Sequence, residues 1–192
     1  IILTLFFCFA AQILVAQHSY LDSLKKDFAI SENDTIKLVR LRNLTRIYSE
    51  INPDSAFSYS EKLLSLAREL NFKLDEANAL REMGYALTNM GNYPRSLQTI
   101  LSAIKIAEDP KSEQKILTGN YNEDALVNRN ENATNQRLSE LAFIYDILGI
   151  LYSNTNNYDK ALMQYLKARQ IAEQSGNVPL QSIINLTLSR AY

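Results

Sequence analysis

The amino-acid sequence predicts an all-α protein in which antiparallel helix hairpins stack on one another as an α-solenoid. The first observation is an internal repeat: the stretches that begin at residues 79 and 144 carry similar residues at the same offsets. The second is the helical spacing of large apolar residues in each copy, interrupted once by turn-forming residues. The third is that only five Gly and four Pro occur in 192 residues, which disfavours a β-fold with many tight turns.

The two copies align on Gly84 and Gly149, each in the middle of a predicted helix. Glycine there costs about 1 kcal/mol relative to alanine, which is tolerated where a neighbouring helix must pack closely. Tyr158 is expected between the two helices of its hairpin, so its truncation to Ala would cost about 3 kcal/mol. The other equivalent positions are Leu80 and Tyr145, Met83 and Leu148, Leu87 and Tyr152, Tyr93 and Tyr158, Ser96 and Ala161, Ile100 and Tyr165, and Ala103 and Ala168.

These residues resemble the tetratricopeptide repeat (TPR) in its small first-helix position, its turn tyrosine and its second-helix alanines. Leu80 and Tyr145 replace the usual tryptophan, and the closing proline is displaced, to Pro110 in one copy and to Pro179 in the other. The resemblance implies a right-handed superhelix of hairpins. It also implies a concave groove, lined by the first helix of each hairpin, that holds a peptide or a segment of a protein partner.

Residues 1–17 are apolar as far as Ala16 and then turn polar. The apolar run is shorter than the roughly 20 residues of a membrane-spanning helix and is typical of a secretory signal peptide. Neither an initiator Met nor preceding positive charges are present, so we expect a signal peptide truncated at its N-terminus. An uncleaved anchor is the alternative, and Phe6 and Phe7 before Cys8 disfavour lipidation of that cysteine.

A leader helix and four repeat units are expected to follow. In the first unit Asn52 is the predicted N-cap of the second helix and Pro53 lies in that helix's first turn. The fourth unit is truncated, so its apolar residues are expected to lack a local partner; they are Ile183, Ile184, Leu186 and Leu188. The predicted ranges are 18–34 for the leader helix, 35–72 for repeat 1, 74–110 for repeat 2, 141–176 for repeat 3 and 179–192 for the first helix of repeat 4.

A polar insertion is predicted at residues 111–140, because the two glycines are much further apart than one period of about 34 residues. The segment is rich in Asn, Glu and Ser, and a short helix is expected around Ser112–Leu117. Insertions in repeat proteins often lie on the binding face. A solvated loop without a role is the simpler alternative.

The sequence offers no catalytic, cofactor-binding or metal-binding residues. His18 and Cys8 are the only residues of their types, so neither a zinc site of the usual kind nor a Cys–His pair can be assembled. Phosphate-binding glycine motifs are absent, and the carboxylates at 52–55 and 121–124 lack calcium-loop spacing. A formal net charge of -1 without a basic stripe disfavours nucleic-acid binding. We therefore expect no enzyme activity in this fragment.

The register of the resemblance places two sets of residues in the groove. Among them only Arg81 supplies a cation, opposite Asp146, which disfavours a clamp for a C-terminal carboxylate. The alternative is that both sets are ordinary exposed residues on helical faces. The sets are Asn78, Arg81, Tyr85, Thr88 and Asn89, and Phe143, Asp146, Ile150, Ser153 and Asn154.

Two functions are compatible with these observations. An exported TPR array is similar to the extracytoplasmic regions of bacterial two-component sensor histidine kinases, and of relatives that carry a DNA-binding effector. On this reading the chain is a sensor module on the periplasmic side of the inner membrane, where a protein or peptide ligand binds two states differently. Its membrane attachment and effector would lie beyond residue 192. The alternative is a stand-alone periplasmic adaptor for envelope protein assembly.

Overall fold

A computed structural model describes residues 20–117 and 132–190. The predicted signal peptide, His18 and the middle of the predicted insertion lie outside these residues. The described ranges contain eight α-helices and no β-strand. The helices are α1 (20–30), α2 (Asp34–Ile51), α3 (Pro53–Glu69), α4 (Lys73–Asn89), α5 (Tyr93–Glu108), α6 (Ala133–Asn154), α7 (Tyr158–Ser175) and α8 (Val178–Arg190), and a 3-10 turn follows α5 at Pro110–Gln114.

From α2 to α8, each helix packs against the next one along the chain. The pairs α2–α3, α4–α5 and α6–α7 are hairpins with short connections, and the first helices also touch one another, α2 with α4, α4 with α6 and α6 with α8. This arrangement of neighbours is that of a TPR-type α-solenoid. The predicted all-α class is therefore confirmed.

Turn residues at equivalent places reverse the chain. Within the second and third hairpins the residues in the left-handed region are Gly91 (φ 77°) and Asn156 (φ 58°), at the same offset from Gly84 and Gly149. Only glycine and, less readily, asparagine enter this region at low cost. Asn52 caps α3 by accepting a hydrogen bond from the Ser55 N–H at 2.8 Å, which confirms the predicted cap.

The two glycines admit close approach of the second helix, as expected. A Cβ atom on Gly84 would lie 2.5 Å from Ile100 Cγ1, and one on Gly149 would overlap the ring of Tyr165. Ser96 uses the same proximity to donate a hydrogen bond to the Gly84 carbonyl oxygen at 2.7 Å. The α4–α5 and α6–α7 hairpins are thus each closed by a large side chain that lies against the opposite backbone.

The predicted position of Tyr158 is wrong. Its side chain is 63% exposed at the first residue of α7, where its hydroxyl bonds Asn156 Oδ1 within the same turn. Tyr165, two helical turns later and 4% exposed, fills the space between α6 and α7 instead.

The apolar face of α8 also differs from expectation. Ile184 and Leu180 are buried in the core formed by α4 to α7, and Leu188 packs against Ala161 and Tyr165. Only Leu186, 54% exposed, lacks cover as expected. The α6–α7 hairpin therefore already provides the partner that the sequence reading assigned to a missing helix.

Both ends of the predicted insertion at 111–140 have regular structure, the 3-10 turn at one end and the first turns of α6 at the other. The 3-10 turn and the first turns of α6 meet there, because Arg137 Nε donates to Glu113 Oε1 at 2.6 Å and its Nη1 to the Ala107 carbonyl at 3.1 Å. Thr134 donates a further bond to the same Glu113 carboxylate. The described residues on the two sides of 118–131 are thus held together.

Candidate functional site

A groove of about 370 Å³ lies on the face formed by the first helices of the hairpins. Four helices that are not consecutive in sequence supply its walls: α2, α4, α6 and α8. The stacking of hairpins is what brings them side by side. The lining residues are Arg42, Arg46, Ser49, Glu50, Asn78, Arg81, Glu82, Tyr85, Glu140, Phe143, Asp146, Ile147, Ile150, Ile183 and Thr187.

The structure brings together six of the ten residues that sequence reasoning placed in the groove. Thr88 is buried inside its hairpin, where it bonds the Gly84 carbonyl and Ser96, so its predicted exposure to the groove is wrong. Asn89 and Asn154 are exposed at the ends of α4 and α6 and, like Ser153, do not line the cavity. The six that do line it are Asn78, Arg81, Tyr85, Phe143, Asp146 and Ile150.

Arg81 is the centre of the polar network in the groove. Its Nε donates to Glu140 Oε1 and its Nη1 lies against Glu82 Oε1, both at 2.8 Å. Its guanidinium also stands over the Phe143 ring, 5.1 Å from the centroid. Burial alone lowers the pKa of Arg81, but the charges of Glu140 and Glu82 outweigh it and raise the pKa above its usual value. Arg81 is therefore a fixed cation held by two carboxylates.

Sequence reasoning missed both partners of Arg81. It placed Glu140 in the polar insertion, whereas α6 begins at Ala133 and carries Glu140 one helical turn before Phe143. Asn78 donates to the second oxygen of the same carboxylate at 3.2 Å. A helical register continued upstream from Phe143 is the signal that would have found it.

The α2 wall was also missed, because repeat 1 lacks the glycine that anchored the alignment. Arg42 pairs with the buried Asp75 at 3.0 Å. Ser49 donates a 2.6 Å bond to Glu82 Oε2. These contacts join α2 to α4 and hold the carboxylate that in turn orients Arg81.

The carboxyl group of Asp146 is only partly compensated in the groove. Its side chain is 5% exposed, and its Oδ1 atom is buried without a hydrogen-bond partner. Burial raises the pKa of Asp146 to about 7, although the charge of Arg81 and a hydrogen bond from Thr187 act in the opposite direction. A carboxylate in this environment is costly unless a further group binds it.

A second, larger cleft of about 540 Å³ lies between α3, α4, α5 and the 3-10 turn. Most of its cations already serve the fold. Arg68 and Lys73 hold Glu76 at 2.8 and 2.9 Å, and Lys115 donates to the Leu70 carbonyl. Within the described part of the chain, Lys105 and Lys111 are the cleft's basic residues outside such contacts, so the groove remains the better candidate site. The basic residues are Arg68, Lys73, Lys105, Lys111 and Lys115.

Residues 20–117 and 132–190 hold neither a metal-binding cluster nor a helix suited to span a membrane. No group of three or more His, Cys, Asp or Glu side chains there is arranged to hold a metal ion. None of the helices described is both long and apolar enough to cross a membrane.

Comparison with known proteins identifies the repeat family. The family model described as "SusR N-terminal TPR domain" matches residues 11–122, more than half of the chain, and this range includes α1 to α5. A search of curated proteins found no match. The matched range contains the Gly84 copy of the repeat, and α6 and α7 continue the same pattern beyond it. TPR domains are all-helical scaffolds for protein interaction and are typically non-enzymatic. The chain is thus a member of the SusR N-terminal TPR domain family.

Proposed function

We propose that the groove binds a peptide or an extended segment of a protein partner, and that the chain is the extracytoplasmic input module of a signal-transduction protein. The observation that carries the first part is the groove itself, to which four successive first helices contribute side chains. A segment bound there would touch three hairpins at once. The affinity for such a segment would therefore depend on how the hairpins are stacked.

The composition of the groove supports a peptide ligand. Apolar side chains from α6 and α8 form one part of the wall, including Ile147, Ile150 and Ile183, and charged residues of α2 and α4 form another. Sites that combine apolar surface with a few placed polar groups are typical of specific binding. A peptide offers both kinds of group along its length.

The input role rests on other support. The apolar segment 1–16 is typical of an export signal, and the matched family is described as an N-terminal domain. An N-terminal binding domain on the periplasmic side is suited to a sensor whose effector, a histidine kinase or another output domain, follows a membrane helix. A ligand that binds two stacking states unequally shifts their populations and so carries a signal. The alternative is a stand-alone periplasmic adaptor for envelope protein assembly.

Site-specific photocross-linking tests the groove. Benzoylphenylalanine is introduced at Tyr85 or Ile150 in the groove, or at the control position Met163, which is 66% exposed on α7 and outside the groove. We expect discrete cross-links to one partner or peptide from the two groove positions in the source cells, and none from Met163. Equal labelling from all three positions, or labelling from Met163 alone, would refute the groove as the binding site.

The input role is tested by determining the gene sequence downstream of the codon for Tyr192. A run of about 20 apolar residues followed by an output domain supports the sensor, and a His-containing dimerisation helix with an ATP-binding region would define it as a kinase. A stop codon after one or two further hairpins would support the adaptor instead.

A further inference from the structure

We infer that the group recognised beside Asp146 is a primary ammonium ion, from a lysine side chain or from the free N-terminus of the bound peptide. This inference rests on the proposed function, because it specifies the chemistry of a ligand in the same groove. Nothing in the family description assigns a ligand or a role to Asp146.

The first argument is the state of the Asp146 carboxylate. It lines the cavity, is 5% exposed, and leaves Oδ1 without a hydrogen-bond donor. Buried polar atoms in proteins nearly always have partners, and an exception calls for a specific explanation. Oδ1 itself has almost no exposed surface, so a cationic donor bound in the groove would supply the missing partner by drawing the carboxyl group round towards the cavity.

The second argument is the balance of charge around this carboxylate. Arg81 is the nearest cation, but Glu140 and Glu82 already hold its guanidinium at 2.8 Å. Over the whole lining three cations face four carboxyl groups: Arg42, Arg46 and Arg81 against Glu50, Glu82, Glu140 and Asp146. Arg42, on the α2 wall, is engaged by Asp75. An anionic ligand group would be repelled here, whereas an ammonium group would neutralise the excess charge.

The third argument is that the other groups facing Asp146 cannot supply the missing charge. From α4 these are Arg81 and Tyr85; from α7 Tyr165; and from α8 Thr187. Burial raises the pKa of Tyr85, and it raises that of Tyr165 to about 12, so both phenols are neutral near pH 7. The Tyr85 ring, half-buried in the wall, would also attract an ammonium ion through its π face.

These charges set the pH dependence of binding. The pKa of Asp146 in the free protein is about 7, so its carboxylate is mostly ionised at pH 8 and mostly protonated at pH 6. Only the ionised form attracts the ammonium group. For a lysine ligand, which stays protonated throughout, the affinity should therefore fall about tenfold from pH 8 to pH 6, since a tenfold change in the ionised fraction follows from a pKa near 7. A free N-terminus has a pKa of about 8 and gains protons over the same range, so its affinity should fall less.

The experiment uses an array of decapeptides with lysine or norleucine at the centre and uncharged residues mixed at the other positions. Each peptide is made with a free and with an acetylated N-terminus, and the labelled full chain is applied at pH 8. We expect at least fivefold more binding to peptides that carry an ammonium group than to acetylated norleucine peptides. The acetylated lysine and the free norleucine arms show whether the group is the side chain or the N-terminus.

Two matched substitutions locate the effect. Asp146→Asn should abolish the preference for ammonium, and Asp159→Asn, the same change at an exposed residue of α7 outside the groove, should leave it intact. Thermal unfolding at pH 8 checks the fold, and Asp146→Asn should not lower the Tm because the neutral amide removes an uncompensated charge. A preference retained by Asp146→Asn would overturn the inference.

A blocking variant separates the two proposals. Ile150→Trp narrows the groove without changing its charge. If peptides bind, lose binding in Ile150→Trp, and show no preference for ammonium, the inference fails while the groove stands. If no peptide binds, or if Ile150→Trp binds as well as the parent, the proposed function fails and the inference with it.

Discussion

At the scale of single residues, Gly149 determines how closely α7 approaches α6. A Cβ atom at this position would overlap three carbons of the Tyr165 ring, which is itself buried. Gly149→Ala gains about 1 kcal/mol in helix propensity but must displace a rigid ring, and overpacking typically costs about 1 to 3 kcal/mol. We expect a net loss of up to about 2 kcal/mol in the free energy of unfolding, measured by urea denaturation.

A second variant separates overlap from other effects of the added methyl group. In Gly149→Ala combined with Tyr165→Leu, the ring that overlaps the new methyl group is absent. The alanine should then be neutral or stabilising relative to Tyr165→Leu alone. A loss of the same size in both backgrounds would show that the ring is not what opposes the methyl group.

Tyr165 and Tyr158 provide a direct comparison of a buried and an exposed aromatic residue on one helix. Tyr165→Ala should cost about 3 to 5 kcal/mol, as for other large core truncations. Tyr158→Ala should stay within about 0.5 kcal/mol, as is typical of surface positions. Denaturant unfolding of both variants tests this. A larger loss of unfolding free energy for Tyr158→Ala than for Tyr165→Ala would show that Tyr158 is the packed residue.

The residues that could be predicted from the sequence are those whose role depends on size alone. Gly84 and Gly149 must be small because the second helix of the hairpin lies against them, and the alignment found both. Tyr158 was misplaced because an equal offset from the glycine does not guarantee equal surroundings. Tyr93, its counterpart, packs partly against the core, whereas Tyr158 bonds within its own turn.

At the scale of helices, Arg81 joins α4 to α6 through Glu140. Replacing it by a residue without charge, Arg81→Met, leaves Glu140 and Glu82 as buried carboxylates without their cation. Breaking a buried ion pair from one side typically costs about 3 to 5 kcal/mol. We expect a loss in this range at pH 8, measured by urea denaturation of the full chain.

A double-mutant cycle tests whether the loss comes from the stranded carboxylates. Glu140→Gln alone keeps an acceptor for Arg81 and should cost less than Arg81→Met. The double variant should cost less than the sum of the two single variants, since residues in one ion-pair network are coupled. Additive losses would mean that the pair does not couple the two helices energetically.

The ends of the helices were predictable where local residues mark them, and less so where tertiary contacts determine where a helix begins. Asn52 and Pro53 marked the start of α3 correctly. The start of α6 was placed too late because its first turns are polar. Arg137 orders them through Glu113 and the Ala107 carbonyl, residues that are distant in sequence. For the same reason Glu140 was absent from the predicted groove.

At the scale of the whole molecule, the core is divided along the stack. One cluster of buried side chains joins α4 to α8, and other clusters hold α1 to α3 against their neighbours. Each hairpin contacts only those next to it. In such a chain, stability is approximately a sum of repeat and nearest-neighbour terms. A substitution that destabilises one end of the stack should therefore leave the stability of the other end unchanged.

Native-state hydrogen exchange tests this locality with two variants at opposite ends. Tyr165→Ala removes a ring that packs with Ala161 and Leu188, so amides of α7 and α8 should exchange faster while those of α2 and α3 do not change. Leu44→Ala, in the cluster with Leu21 and Leu24, should give the opposite pattern. Because subglobal opening reports the stability of each cooperative unit, uniform acceleration along the chain in either variant would show that the solenoid unfolds as a single unit. A bound peptide would then stabilise the groove and the whole core together. If exchange changes only locally, a ligand between α4, α6 and α8 would act on the C-terminal hairpins alone.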